Sequence, residues 1–482
     1  MTDYLSKFLP FMFPPFLGSS ALLSPRRILL QRSDRLGDVI LTMPTIAMLH
    51  DRFPDAEIHM MTSAIGHKVM AGHPLLQRVW VVDRYERSPH VMADWVTQIR
   101  EMAYDVSITL CGEPCMARLA KRAGIPVRIG DGSNLLQRHW YTHTIWQNSH
   151  DYTRHQSELN QDFLLPLGIA PHFNTWGFYP ITHRYDALDT WRHDGPDQPI
   201  AYLFLTTGGS NVPIPDRLIS PLITLLQRKG YRVVLDGDRE RPEWPTTSGV
   251  LNVTGQTQLS DVMAIIHQVE LVVAGDTGPT HMASMMGRPS VVFTSRKVNP
   301  PTRWGSLSPY QAYVRHDYPC DYDCRKMCHP DVCFQAIGVS DFEQAIARVE
   351  TQQTTRRPLS MAAIKHLHVL QSLRCLIWRP HTMAPTVEEA TDEWPMVVYW
   401  GGPGWRWGAW QQFKQVMMRY NINVVMGPVP WWMKGVLHVW MGTIRGENPP
   451  LVIRTDATGV SRSVIVQRVM QAVARVSEGG AP

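Results

Sequence analysis

The chain has 482 residues, too many for one hydrophobic core, and at ordinary domain sizes it divides into roughly two to four domains. With 44% hydrophobic and 18% charged residues it belongs to neither a disordered nor a collagen-like class. A formal net charge of +5 is too weak to imply nucleic acid, and it suits an anionic partner such as a nucleotide-sugar, a phosphorylated glycan or a membrane surface.

No apolar run reaches the roughly 18 residues that a bilayer span requires, so no transmembrane segment is expected. Residues 1–26 form an apolar extension, but Asp3, Pro10, Pro14 and Pro15 interrupt what would have to be the continuous core of a signal peptide. The extension is expected to stay uncleaved and to pack on the body or touch a membrane face, since Phe and Leu serve both ends. Seven cysteines, an odd number in a chain read without a cleaved leader, point to a reducing cytoplasm, with peripheral contact at the inner-membrane face left open.

From Arg27 the pattern becomes regular. RILLQRS reads as a buried parallel strand, DRLGD as a turn and VILTMPTIAMLHDRF as an amphipathic helix. EIHMMTS, VWVVDRY, DVSITL and VRIGDG continue as strands with helices between them. HQSELNQDFLLPLGI is helical, and the polar RHDGPDQP reads as a linker. A second block repeats the alternation: strand IAYLFLTTGG, helix LISPLITLLQRKG closed by Gly230, strand YRVVLDGD, helix LSDVMAIIHQ, strand-turn LVVAGDTG and strand SVVFTS. The expectation is two doubly wound domains, 27–185 and 186–355, facing each other across a cleft with ligands at strand C-terminal ends. Residues 356–482 are expected to form a linker, including HTMAPTVEEATDEWP, and a Trp-rich α/β module with strands MVVYWGG, INVVMGP and PLVIRTD.

Four stretches could carry chemistry. Ser33-Asp34-Arg35-Leu36-Gly37-Asp38 lies where a strand ends and a helix begins, so Asp38 suits either a general base for an acceptor hydroxyl or a helix cap. Asp276-Thr277-Gly278-Pro279-Thr280-His281 puts a carboxylate, a hydroxyl, a helix N-terminus and an imidazole within a few residues, a set suited to sugar hydroxyls and a diphosphate. Thr206-Thr207-Gly208-Gly209-Ser210 could close backbone donors on phosphate oxygens or be an ordinary turn. Asp236-Gly237-Asp238-Arg239-Glu240 could take ribose or sugar hydroxyls, or simply be solvated.

RILLQRSDRLGDVILTMPTIAMLHDRFPDAEI together with LVVAGDTGPTHMASMMGRPSVVF resembles glycosyltransferase family 9, the ADP-heptose heptosyltransferases, over roughly Arg27 to Val349. The resemblance implies a GT-B fold of two Rossmann-like domains, an acceptor-binding first domain and a donor-binding second one, and an inverting, metal-independent transfer. It casts Asp38 as the catalytic base, and Thr206, Thr207, Glu240, Asp276, Thr277, Gly278 and His281 as donor-binding residues. The implied reaction moves a heptose or related sugar from ADP-heptose to a lipopolysaccharide-core glycan or a protein. Family members commonly carry a Lys shortly after the threonines, whereas Ser210-Asn211-Val212-Pro213-Ile214-Pro215 holds no cation. Arg217, Arg296, Lys297 and Arg303 are candidates to replace it, and an inactive glycan- or nucleotide-binding scaffold is the alternative. A nucleotide-sugar epimerase is a weaker third reading.

Cys320, Cys324, Cys328 and Cys333 are dense enough to close a tetrahedral zinc or iron site of structural rather than catalytic character, or to remain reduced thiols in a loop. Protein-modifying heptosyltransferases similar to this chain hold iron in such a cluster. No cofactor is expected for the chemistry itself, and an oligomer is left open.

Overall fold

The computed structural model describes residues 24–83, 85, 88–110, 114–134, 136–147, 154–171, 183–207, 213–294, 300–315, 337–355, 363–364 and 367–368. It also describes the backbone of five strands between 374 and 454. The chain divides into two compact units, one of Met1–Ser149 with Gln156–Tyr179 and one of His150–His155 with Pro180–Pro482.

The first unit is built on strands β1 (Arg27–Gln31), β2 (Glu57–Thr62), β3 (Arg78–Val81), β4 (Val106–Thr109), β5 (Val127–Asp131) and β6 (His143–Ile145). They form one sheet in the order β3-β2-β1-β4-β5-β6, every pair parallel. β1 and β4 are buried along almost their whole length, as strands covered on both faces must be, which is why they read as unbroken apolar runs. Met92, Val96 and Ile99 of one helix and Met116, Leu119 and Ala120 of the next pack together with Leu29 and Met61 of the sheet.

The single helix expected over VILTMPTIAMLHDRF is two. Leu36–Ile40 ends, and Met43–Arg52 begins with Pro44 in its first turn. Proline has no N–H to give and its ring would strike the carbonyl four residues back, that of Ile40, so the chain restarts with Pro44 where a missing donor costs nothing. Thr42 Oγ1 donates to Val39 O at 2.6 Å and closes the break.

The second unit repeats the topology. β7 (Ile200–Phe204), β8 (Arg232–Asp236), β9 (Val250–Asn252), β10 (Leu271–Gly275), β11 (Ser290–Phe293) and β12 (Gln311–Val314) lie in the order β12-β11-β10-β7-β8-β9, again all parallel. Numbered within its own unit this is the same sequence of strands as in the first. Leu218, Ile219, Leu222 and Leu226 of the helix Asp216–Arg228, and Phe342, Ile346 and Val349 of the helix Val339–Thr354, cover one face of this sheet. The helix Asp216–Arg228 stops at Gly230, whose φ of +88° lets its own N–H reach Gln227 O and that of Tyr231 reach Leu226 O.

A third sheet follows in the order β14-β15-β13-β16-β17, with β13 at Arg374–Trp378, β14 at Thr386–Glu388, β15 at Met396–Trp400, β16 at Val424–Gly427 and β17 at Leu451–Arg454. It corrects the reading of three strands. RCLIW supplies β13, the central strand, and part of the supposed linker supplies β14, which pairs antiparallel at the edge through Val387 opposite Val398. Three residues between proline and acidic neighbours carry too little alternation to register as a strand, and pairing to β15 is what makes them one. Two-Rossmann α/β architecture is therefore the observed class, as expected.

Candidate functional site

In each sheet the strand order reverses once, between β1 and β4 in the first and between β7 and β10 in the second. Loops leaving the two strands at a reversal diverge to opposite faces and leave a crevice beyond the strand ends, where open α/β sheets bind ligands. Three of the four stretches singled out in the sequence leave these strands. Asp38 follows β1, Thr206 and Thr207 follow β7, and Asp276 to His281 follow β10. Asp38 belongs to the first unit and the other seven candidates to the second.

At the first reversal, the side chain that organises the crevice is Arg32. Directly after β1, with only 5% of its side chain exposed, it spreads its guanidinium over four partners. Nε lies 2.6 Å from Asp34 Oδ1, Nη2 3.1 Å from Asp38 Oδ1, and Nη1 donates to Leu110 O at 2.9 Å and to Asn160 Oδ1 at 3.0 Å. Asn160 in turn donates to Leu41 O at 3.0 Å and accepts from Gln156 Nε2 at 2.8 Å. One planar cation thus joins the ends of β1 and β4, the helix Leu36–Ile40 and the helix Gln156–Asp162. Asp38 is not the cap of its helix: the N-cap position is Arg35, without a side-chain cap bond, and the Asp38 carboxylate is turned to Arg32.

At the second reversal, Asp276 leaves β10 and Thr277 occupies the N-cap of the helix Gly278–Met285. Thr is a residue that ordinarily caps, yet Thr277 makes no side-chain cap bond and its hydroxyl turns back to Gly275 O at 3.4 Å. Pro279 has no N–H, and those of Gly278 and Thr280 have no partner within the helix, so two donors stand at the positive end of the helix dipole, at the end of β10. Asp276 is 12% exposed and its Oδ1 lies 3.6 Å from His281 Nε2. Burial pushes His281 down to about 4, so its ring is neutral at neutral pH and the contact is not an ion pair. Its Nδ1 is buried without a hydrogen-bond partner among the described residues.

The loops after β7 and β8 are tied together. Thr206 Oγ1 accepts from the N–H of Asp238 at 3.0 Å, and Gly237 lies so close to Thr206 that a Cβ there would sit 3.1 Å from the Thr206 methyl. The acidic loop divides. Asp238, Arg239 and Glu240 are exposed, whereas Asp236 is fully buried and accepts from Tyr202 Oη at 2.7 Å, Thr257 Oγ1 at 2.8 Å and its neighbour's N–H at 2.7 Å. Burial raises Asp236 to about 6. Its oxygens are committed to the protein, which removes it from the candidates for ribose hydroxyls and leaves Glu240 at the surface of the loop.

Residues 208–212 and the four cysteines Cys320, Cys324, Cys328 and Cys333 lie outside the described residues. Among the described residues no group of three or more His, Cys, Asp or Glu is arranged to hold a metal ion. Two of the four cations named as replacements for the missing lysine are described. Arg217 Nη2 donates to Ile337 O at 3.0 Å, and Arg303 is buried with its guanidinium 5.4 Å from the Trp304 ring.

The family model described as glycosyltransferase family 9 (heptosyltransferase) matches residues 92–332, half of the chain. The chain belongs to glycosyltransferase family 9. It is therefore a transferase. Lipopolysaccharide heptosyltransferase 3 of Escherichia coli K12 is 23% identical over 281 residues, covering 53% of this chain and 78% of its own. A putative glycosyltransferase of Haemophilus influenzae is 22% identical over 307 residues, covering 60% and 88%. Among solved structures, a family 9 glycosyltransferase of Veillonella parvula superposes with a TM-score of 0.55 at 21% identity, over 69% of this chain and 98% of that one. The ADP-heptose lipopolysaccharide heptosyltransferase II of E. coli gives 0.53 at 17% identity, over 68% and 99%. These structures share the paired Rossmann-like fold of the GT-B glycosyltransferases.

Arg32 is the residue of this family 9 chain that sequence reasoning passed over. A lone basic residue after a strand carries no periodic signal, and its partners Leu110 and Asn160 are 78 and 128 residues away. What could have marked it is its place: a charged side chain abutting the apolar run RILLQ, two residues before one acid and six before another.

Proposed function

We propose that this family 9 glycosyltransferase transfers a heptose, or a closely related sugar, from ADP-heptose to a lipopolysaccharide-core glycan, with inversion at the anomeric carbon. The observation that carries the donor assignment is the uncapped N-terminus at Thr277 on the strand-order reversal of the second sheet, flanked by Asp276 and by the Thr206–Thr207 loop. Helix N–H donors there would take the diphosphate and hold it as the anionic leaving group, while Asp276 accepts from sugar hydroxyls and Glu240 from the nucleoside end. Asp38, oriented by its contact with Arg32, would take the proton of the acceptor hydroxyl as its oxygen attacks the anomeric carbon. The named relatives that are lipopolysaccharide heptosyltransferases support the sugar and the class of acceptor.

On the density of their thiols alone, Cys320, Cys324, Cys328 and Cys333 would hold a structural zinc or iron. The chain has no described helix long and apolar enough to cross a membrane, and contact with a membrane surface would rest on the apolar residues 1–26.

A calorimetric screen of ADP-, UDP- and GDP-linked sugars tests the donor, with ADP-heptose expected to bind and the others to give no saturable heat. The scaffold reading draws on the stretch from Ser210 to Pro215, which lacks the family's cation. Saturable binding of ADP-heptose with no release of ADP in the presence of a heptose-deficient lipopolysaccharide core would favour it over transfer.

A further inference from the structure

Behind the loop from Asp276 to His281, in the same unit, lies a layer of buried rings that the transfer chemistry does not use. His155 Nε2 lies 3.0 Å from Gly305 O, and His368 Nε2 lies 2.8 Å from Ser306 O and 3.1 Å from Tyr313 Oη. The two imidazoles stack at 5.8 Å, and the N–H of Ser306 donates to Tyr313 Oη at 2.9 Å. A carbonyl oxygen can only accept, so both Nε2 atoms carry the proton and both tautomers are fixed. The His368 ring also fills the space over Gly305, where a Cβ would sit 2.5 Å from Nε2. Three side chains far apart in sequence therefore grip two consecutive peptide groups. The next residue, Leu307, gives its N–H to Ser284 Oγ, and Ser284 is on the helix Gly278–Met285.

A neutral imidazole is a poor choice if bulk is all that is required. Leu or Phe would fill the same volume without desolvating a polar ring, whereas only a directed N–H can hold an irregular backbone segment that has no ladder of its own. We propose that His368 is a positioning residue for the donor site: by anchoring the strap Gly305–Leu307, which is tied to Ser284, it fixes the helix whose N-terminus receives the donor diphosphate. The proposal rests on the donor role given to that helix above.

The test uses full-length protein and ADP as the probe, titrated calorimetrically into wild type, His368→Phe, His368→Gln, Ser284→Ala and the double variant His368→Phe/Ser284→Ala. His368→Phe and Ser284→Ala should each weaken ADP binding about five- to tenfold, the size of one lost buried hydrogen bond. The donor KM should rise in step, by more than kcat falls. His368→Gln keeps an N–H donor and should recover most of the affinity. The double variant should be no weaker than either single one, because both cut the same line of contacts. Should His368→Phe fail to fold, Ser284→Ala carries the comparison. Variants that melt earlier but bind ADP as wild type does would make the rings a matter of stability alone and overturn the proposal, as would additive losses in the double variant. Wild-type protein that binds no ADP would remove the donor reading and the proposal with it.

Discussion

Arg32 and Asp38 form a pair whose value lies in arrangement more than in attraction. A guanidinium that is almost fully buried needs acceptors for its N–H groups, and here two carboxyl groups, a carbonyl and an amide oxygen lie against all three of its nitrogens. Arg32→Gln leaves Asp34 and Asp38 close together without a cation, and is expected to lower stability by roughly 3–5 kcal/mol, the usual effect of breaking a buried pair from one side. Arg32→Lys keeps the charge but loses the planar fork, so transfer should fall further than stability does. Chemical denaturation and turnover measured on the two variants separate these effects. A second residue-scale expectation concerns the neutral histidines. Burial pushes His281 and His73 down to about 4 and His368 down to about 3, and His155 also falls well below its ordinary value. Unfolded imidazoles take up protons below about pH 6.5 while these folded ones do not, so stability is full above that pH and is lost as pH falls toward 4. His73, His281 and His368 should each remove on the order of 2 kcal/mol between pH 8 and pH 5, and His155 acts in the same direction. Asp236, raised to about 6, works the other way across the same range, as protonation is easier in the folded state. Burial lowers His59 as well and raises Asp34, so five histidines stand against two aspartates, and the net acid destabilisation should appear in thermal melts from pH 8 to pH 5 as a falling midpoint. A flat profile would contradict the burial of these rings.

Among the elements, the strand-ending loops carry the site and the glycines set where helices stop. Gly230 at φ +88° has open space around it, so Gly230→Ala meets no clash and is penalised only for its backbone conformation. A loss of about 1 kcal/mol in urea unfolding is expected, against none if the helix can end otherwise. The central strands of both sheets were legible because two covered faces demand unbroken runs of Val, Ile and Leu, as in RILLQ, RVVLD and LVVAG. Of the four edge strands of these sheets, only β3, read from VWVVDRY, was legible. β6 is HTI, β9 is VLN and β12 is QAYV, each too short or too polar to stand out until a neighbouring strand pairs with it. The same limit governs the site. Motifs whose members are adjacent in sequence, such as Asp276 to His281, could be found by reading along the chain. The Arg32 hub and the His155–His368 pair exist only after folding brings distant segments together, and Asp236, read as an acid free for sugar hydroxyls or for solvent, is neither because its partners Tyr202 and Thr257, 34 and 21 residues away, bury it.

At the scale of the whole molecule, two units of identical strand order place complementary chemistry at their own reversal points: a carboxylate on a buried cation in the first, and helix donors with a neutral imidazole in the second. Segments beyond the second Rossmann-like sheet are not indifferent to it, since Ile364 and His368 are buried within the same unit. A chain ending at residue 360 is therefore expected to lose ADP affinity and melt earlier, and a truncated protein that binds ADP as the full chain does would show those contacts to be dispensable. The central claim is that Asp38 is the base of an active heptosyl transfer. Single-turnover release of ADP from ADP-heptose, with a heptose-deficient lipopolysaccharide core as acceptor, tests it in wild type and Asp38→Asn. The expected result is transfer by the wild type and a loss of about 10²–10⁴-fold in Asp38→Asn with ADP affinity unchanged. Turnover of Asp38→Asn within a few-fold of wild type would contradict it.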